Sequence, residues 1–192
     1  MTKNLIFSSI LFLVLSISFF IYSKNYSSQI NVPISEITPV LGEMTKTADC
    51  VSSSGMPDSN CTPGAIFPNA TKEQICKSGY SSSVRNVSTS TKKKVYIEYG
   101  VLSHTTGEYE VDHLISLELG GSNDISNLWP EAAKPTPGFH EKDLVENYLH
   151  EMVCSGKISL GKAQELIAHN WTEVYKSVSN IDSYNWSNRH DQ

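Results

Sequence analysis

The sequence predicts an α+β fold, and three stretches of the chain carry that prediction. Residues 109–119, "YEVDHLISLEL", are rich in strand-forming side chains, and a Gly-Gly pair ends them. Residues 127–131, "NLWPE", form a second short strand that a proline stops. Residues 139–156, "FHEKDLVENYLHEMVCSG", repeat apolar side chains at helical spacing before a final glycine. We therefore expect a hairpin with a long loop, followed by a helix.

Other helices are expected on both sides of this unit. Thr71, with Gln74 three residues later, has the pattern of a capping box and predicts a short helix up to Gly79. The segment "VRNVSTSTKKKVYIEYG" fits a short helix as well as a strand. Ser159 caps a closing helix whose apolar face is formed by Leu160, Ala163, Ile167 and Trp171.

The N-terminus indicates export. After Lys3, the 18 residues from Leu5 to Tyr22 carry no charge, which just reaches the length that spans a bilayer. A cleaved signal peptide and an uncleaved membrane anchor both fit, so the periplasm, the exterior and the outer side of a membrane stay open. The predicted division is a signal or anchor over 1–22, a linker and polar loop over 23–57, a domain over 58–180 and a tail over 181–192.

Four cysteines in an exported chain predict disulfides. We expect Cys50 to pair with Cys61, closing a short polar loop, and Cys76 to pair with Cys154, tying the middle of the chain to a later helix. The sequence leaves the other connectivities open.

The formal net charge of -5 argues against a broadly basic nucleic-acid binder. Any contact with a phosphate backbone must therefore be local. Lys92, Lys93 and Lys94 are the clearest candidates for it, and Arg85 and Lys142 could add to them.

The pieces "VDHLISLELGG", "NDISNLWPE" and "FHEKDLVENYLH" place an Asp-His pair, a loop Asn and a helix in a fixed order. They resemble the HNH nucleases of the ββα-metal class, and the 14-residue step from His113 to Asn127 suits the hairpin of that family. More narrowly, residues 58–175 look like an exported bacterial group of HNH-endonuclease-like proteins. The resemblance implies a ββα-metal hairpin-helix core with additional helices, stapled by disulfides.

The resemblance implies hydrolysis of phosphodiester bonds in DNA, with RNA as the alternative. His113 is the candidate general base, because a neutral imidazole can take a proton from water. Asp112 is the candidate ligand of one divalent metal ion; Mg²⁺ is favoured, and Mn²⁺, Ni²⁺ or Zn²⁺ stay open. Asn127 would bridge the loop and hold His113 in its orientation.

We expect the metal's helix ligand at the edge of a buried stripe. The apolar side chains at helical spacing are Leu144, Val145, Tyr148, Leu149 and Met152. His140 lies one turn before Leu144 at the edge of that stripe, and Asn147, on the same edge, is the second candidate.

Two alternatives differ in purpose or class. One is a nuclease of the same chemistry used as a toxin or defence effector. The other is a non-catalytic, disulfide-stapled extracellular binding domain on an HNH scaffold. The acidic balance favours the second, as does Ser116, which stands where the resembling group more often has a proline.

Overall fold

The structure, a computed structural model, describes residues 38–182. The predicted signal or anchor, the linker up to residue 37 and the tail beyond residue 182 lie outside these residues. Within the described part of the chain, no helix is long and apolar enough to cross a membrane. The described residues form a mixed α and β fold, as predicted, with a small antiparallel sheet, five α-helices and two disulfides.

Residues 38–57 belong to the folded domain, so the predicted boundary at residue 58 is wrong. Leu41 and Met56 pack against the hydrophobic core. The Trp171 indole Nε1 donates a 2.9 Å hydrogen bond to the carbonyl of Gly55. The segment has no helical or strand pattern in its sequence. Contacts with the core and with Trp171 hold it in place.

Three short helices precede the sheet. They are α1 (Lys72–Ile75), α2 (Tyr80–Val84) and α3 (Thr89–Glu98). The capping box of Thr71 and Gln74 is present, although α1 ends four residues before Gly79. The ambiguous segment is the helix α3, and Ser88 caps it by accepting a hydrogen bond from the backbone N–H of Thr91.

The predicted hairpin is present. Strand β1 (Tyr109–His113) pairs antiparallel with β2 (Leu128–Ala132). The residues after β1 turn into a 3₁₀ segment, Leu117–Leu119, rather than continuing as a strand. Gly121 allows the loop to turn back there, since a Cβ at this position would lie 1.7 Å from the carbonyl oxygen of Ile115.

Two longer helices pack against each other and complete the core. They are α4 (Phe139–Cys154) and α5 (Leu160–Asp182), which has non-helical backbone angles at Asn170. Ser159 accepts a hydrogen bond from the N–H of Lys162, which confirms the predicted cap. The predicted face of α5 is confirmed, since all four of its apolar residues are buried.

Both predicted disulfides are confirmed. Cys50 is bonded to Cys61 across 11 residues of sequence, and Cys76 is bonded to Cys154 across 78. The first staples the N-terminal loop. The second joins the end of α1 to the last residue of α4.

Candidate active site at the end of the hairpin

The end of β1 presents Asp112 and His113 to opposite faces of the hairpin. Asp112 lies opposite Trp129 and His113 opposite Leu128. Successive side chains of a strand alternate between the two faces. The Asp112 carboxylate is on the side of α4, where Lys142 contacts it, and the His113 ring is on the side of the loop after α2.

Asn123 fixes the ring of His113. The Nδ2 of Asn123 donates a 2.7 Å hydrogen bond to the carbonyl of Val84, so its Oδ1 is the atom that faces the imidazole. This oxygen lies 3.2 Å from His113 Nε2 and also accepts from the backbone N–H of Asn86. Because Oδ1 can only accept, Nε2 carries the hydrogen of the neutral ring. The lone pair is then on Nδ1, the nitrogen that can take a proton.

The His113 ring is nearly enclosed, with 2% of the residue exposed. Burial lowers the pKa of His113 below its ordinary value, and the charges of Arg85 and Lys142 act in the same direction. The carboxylate of Asp112 and the bond to Asn123 oppose the shift without reversing it. His113 is therefore neutral at physiological pH, which is the form a general base needs.

Asn127 ties the long loop together and does not contact the His113 ring. Its side chain bonds the N–H and the carbonyl of Ile115 at 2.9 and 3.0 Å and the carbonyl of Ser122 at 2.9 Å. The residue is fully buried. The loop-bridging part of the prediction agrees with these contacts. Its orienting part is wrong, because the side chain bonded to the ring is Asn123.

A buried ammonium group occupies the space between β1 and α4. Lys142 Nζ donates to Asp112 Oδ2 and to the backbone carbonyl of His113, both at 2.7 Å, and to Glu146 Oε1. Glu131 Oε2 is a third carboxylate oxygen, 3.9 Å away. The Lys142 side chain has no exposed surface. We call this group of Lys142, Asp112, Glu131 and Glu146 the lysine cage.

Burial and charge act against each other inside the lysine cage. Burial lowers the pKa of Lys142, but the carboxylates of Asp112, Glu146 and Glu131 outweigh it, and the net shift is upward. Burial raises the pKa of Asp112, and Lys142 reverses this to a net lowering. The cage therefore holds a protonated lysine against an ionised aspartate.

The other two acids of the cage bind protons more readily. Burial raises the pKa of Glu146 to about 7, although Lys142 opposes the shift. Burial also raises the pKa of Glu131 well above its ordinary value, and the neighbouring Asp112 carboxylate acts in the same direction.

The predicted helix ligands of the metal do not reach Asp112. His140 and Asn147 are exposed. They stand two residues before and five residues after Lys142, so at about 100° per residue they project from the opposite side of α4. The prediction that His140 or Asn147 shares a metal ion with Asp112 is wrong, because the buried face of the helix is turned by about one residue from the predicted stripe. That face consists of Phe139, Lys142, Val145, Leu149 and Val153.

The predicted nucleic-acid contacts divide into two groups. Lys142 is fully buried in its cage, so its assignment as a phosphate contact is wrong. Arg85 is exposed and close enough to His113 for its charge to lower the pKa of that histidine. Lys92, Lys93 and Lys94 are exposed on α3, where Lys94 pairs with Glu98 at 3.7 Å. Their contact with a phosphate backbone stays a prediction.

Residues 38–182 contain one group of side chains whose ligand atoms are close enough together for a metal ion. It consists of Cys76, His150 and Cys154, not of the predicted site residues. Both sulfur atoms are joined in the disulfide, so neither is a thiolate. The group is therefore not a metal site in the oxidised protein.

A cleft of about 880 Å³ lies beside strand β2, and Glu131 of the lysine cage is one of its lining residues. Its walls come from the Cys50 loop, strand β2, residues 134–138 and α5, and His113 is not among its lining residues. The cleft therefore gives no support to His113 as a site residue. That assignment depends on the hydrogen bonds of the imidazole.

Comparisons of the chain with protein-family models, with curated proteins and with solved structures found no match.

Proposed function

We propose that this domain is an endonuclease that hydrolyses phosphodiester bonds in DNA, with RNA as the alternative polymer, and that His113 is its general base. The observation that carries the proposal is the state of the His113 imidazole. The ring is neutral and held through Nε2 by Asn123, which leaves Nδ1 as the acceptor.

The reaction needs a proton acceptor and positive charge beside the phosphate. In the proposed step, a water oxygen bonds to phosphorus and its proton passes to Nδ1 of His113. The bond from phosphorus to the leaving sugar oxygen breaks, and that oxygen takes a proton from solvent. The exposed guanidinium of Arg85 is the nearby group suited to neutralise the phosphate.

The near-complete burial of His113 favours one other candidate function. With 2% of the residue exposed, a phosphate reaches the ring only if the surrounding side chains shift. A non-catalytic domain that binds nucleic acid through Arg85 and the lysines of α3 would not need that shift. The two functions separate when binding and cleavage are measured on the same protein.

The test is the nicking of supercoiled plasmid and the cleavage of single-stranded RNA by the purified full chain. His113→Ala should lower the cleavage rate by about a hundredfold to ten-thousandfold, the usual contribution of a general base. His140→Ala is the matched control, since His140 is exposed on the far side of α4, and it should cleave at the parental rate.

Equal rates for the parent and His113→Ala would refute the assignment of the base. A parent that binds DNA and cuts neither polymer would instead support the binding domain.

A further inference from the structure

We propose that the ammonium of Lys142 is the resident cation of this site, in place of a divalent metal ion, and that the domain holds no such ion at Asp112. The activity part of this inference rests on the proposed function. The resemblance to metal-dependent nucleases implies an ion bridging the strand-end carboxylate and the following helix. In this structure, Lys142 Nζ makes that bridge.

The oxygen atoms that would ligate a metal are already used. Asp112 Oδ2, the carbonyl of His113 and Glu146 Oε1 all accept from Lys142 Nζ. The other oxygen of Glu146 accepts a 2.8 Å hydrogen bond from the Ser116 hydroxyl. A divalent ion at Asp112 would therefore compete with charge-assisted hydrogen bonds from an ammonium group that is itself fully buried.

The lysine has no easy way to leave. Its side chain has no exposed surface, and its ammonium is surrounded by three carboxyl groups. An incoming ion with two positive charges would lie within a few ångströms of that ammonium, in a region where burial weakens the screening of charge.

The cage gives Lys142 the structural part of a metal's role. By binding the Asp112 carboxylate and the His113 carbonyl together, its ammonium fixes the end of β1 against α4. Because Lys142 is buried and contacts no substrate, it is a positioning residue. The sequence shows a Lys-Asp pair on a helix, and only the fold reveals that three acids from β1, β2 and α4 converge on the lysine.

The first test is a titration of the full chain with Mn²⁺, followed by calorimetry and by the paramagnetic signal of the bound ion. The parent and Asp112→Asn should give the same result, with no ion bound at Asp112. One equivalent of Mn²⁺ that the parent binds and Asp112→Asn loses would overturn the proposal.

A second variant tests whether the Lys142 ammonium occupies a position at which a metal ion could bind. Lys142→Ala removes the cation and leaves the carboxylates of Asp112 and Glu146 with the carbonyl of His113. If this variant folds, it should gain one Mn²⁺ site that the double variant Lys142→Ala/Asp112→Asn lacks. Lys162→Ala, an exposed lysine on α5, is the control and should gain none. A folded Lys142→Ala that binds no additional Mn²⁺ would refute the proposal that the ammonium takes the place of an ion. If the variant does not fold, the titration of the parent protein tests the proposal.

The activity test separates this inference from the proposed function. If the parent nicks plasmid, a chelator should leave its rate within about twofold, whereas an enzyme that needs a metal would lose about a hundredfold or more. A loss of that size, restored by Mg²⁺, would overturn the inference and leave the nuclease assignment intact. If the parent does not nick at all, the proposed function fails and the Mn²⁺ titration alone decides the inference.

Discussion

At the scale of single residues, the proposed chemistry depends on two hydrogen bonds that link a backbone carbonyl to an imidazole. Val84 fixes which way the Asn123 amide faces, and Asn123 then fixes which nitrogen of His113 carries the hydrogen. Each step is one hydrogen bond with a defined donor. The tautomer of the candidate base is therefore set by a residue that takes no part in the proposed reaction.

Replacing Asn123 should misplace the base without removing it. Asn123→Ala frees the ring to rotate, and we expect kcat for plasmid nicking to fall about tenfold to a hundredfold, the cost of a small misplacement of a catalytic group, with KM little changed. Asn86→Ala is the matched control, since Asn86 contributes only its backbone N–H to Asn123. If both variants cut at the same rate, Asn123 does not position the base.

The pH dependence of stability should report the burial of His113. The folded-state pKa of His113 lies below 6.5, the ordinary value. Between these two pKa values the unfolded chain binds a proton that the folded chain does not, so the free energy of unfolding decreases as pH falls through 6.5.

Urea unfolding of the parent and of His113→Gln from pH 7.5 to pH 5 provides the measurement. Every other titrating group is shared by the two proteins, so the parent should lose more stability than the variant over this range. Parallel curves would show that His113 titrates as an ordinary exposed histidine.

At the scale of elements, the rotation of α4 about its axis determines which of its side chains lies beside Asp112. The helix turns Lys142 inward beside Val145 and Leu149, and it sets the ammonium against the end of β1. If the helix were rotated about its axis by one residue, about 100°, His140 would lie closer to the hairpin. Which side chain of α4 lies beside Asp112 therefore depends on which face of the helix is buried.

Lys142→Met should strongly destabilise the domain. The substitution keeps the volume of the side chain and leaves the partly buried carboxylates of Asp112 and Glu146 without their counter-ion. Breaking a buried ion pair in this way costs about 3–5 kcal/mol. Urea unfolding should show that loss at neutral pH, and a smaller loss in acid, where the carboxylates become protonated.

Lys162→Met is the control for this prediction. Lys162 is half exposed and lies at the edge of salt-bridge distance from Glu165, so its loss should change the free energy of unfolding by no more than about 0.5 kcal/mol. A cost for Lys142→Met as small as that of the control would mean that water reaches the cage.

At the scale of the whole molecule, two disulfides tie the irregular parts of the chain to the core. Cys50–Cys61 closes a loop within the N-terminal segment, and Cys76–Cys154 joins α1 to α4. Neither lies at the hairpin end that carries His113. Their contribution should therefore be to the stability of the domain rather than to its chemistry.

Reduction should lower the melting temperature, and the longer crosslink should account for most of the loss. In the chain-entropy model, a bridge across 78 residues contributes about 4 kcal/mol. A bridge across 11 residues contributes about 3 kcal/mol or less. Unfolding of the double variants Cys76→Ser/Cys154→Ser and Cys50→Ser/Cys61→Ser separates the two, and a reductant that leaves the melting temperature unchanged would contradict both contributions.

The sequence alone predicted the hairpin, the helix that follows it and the cap of the closing helix, and it favoured the two disulfides without excluding other pairings. These features depend on local patterns: strand-forming residues between turns, a Ser or Thr before a helix, and loops that a crosslink can close. The hairpin of residues 109–132 and the buried face of α5 followed from such patterns.

The surroundings of the site depend on contacts between distant parts of the chain. The stripe predicted for α4 was off by about one residue, and a shift of about 100° is enough to exchange a buried face for an exposed one. Asn123 and the lysine cage left no signal in the sequence, because their partners are brought together from distant positions. Val84 is 39 residues from Asn123, and Asp112 is 30 residues from Lys142. Long-range contacts of that kind depend on how the helices and strands pack. Lys142 was predicted to contact phosphate, and packing instead buries it beside the candidate base.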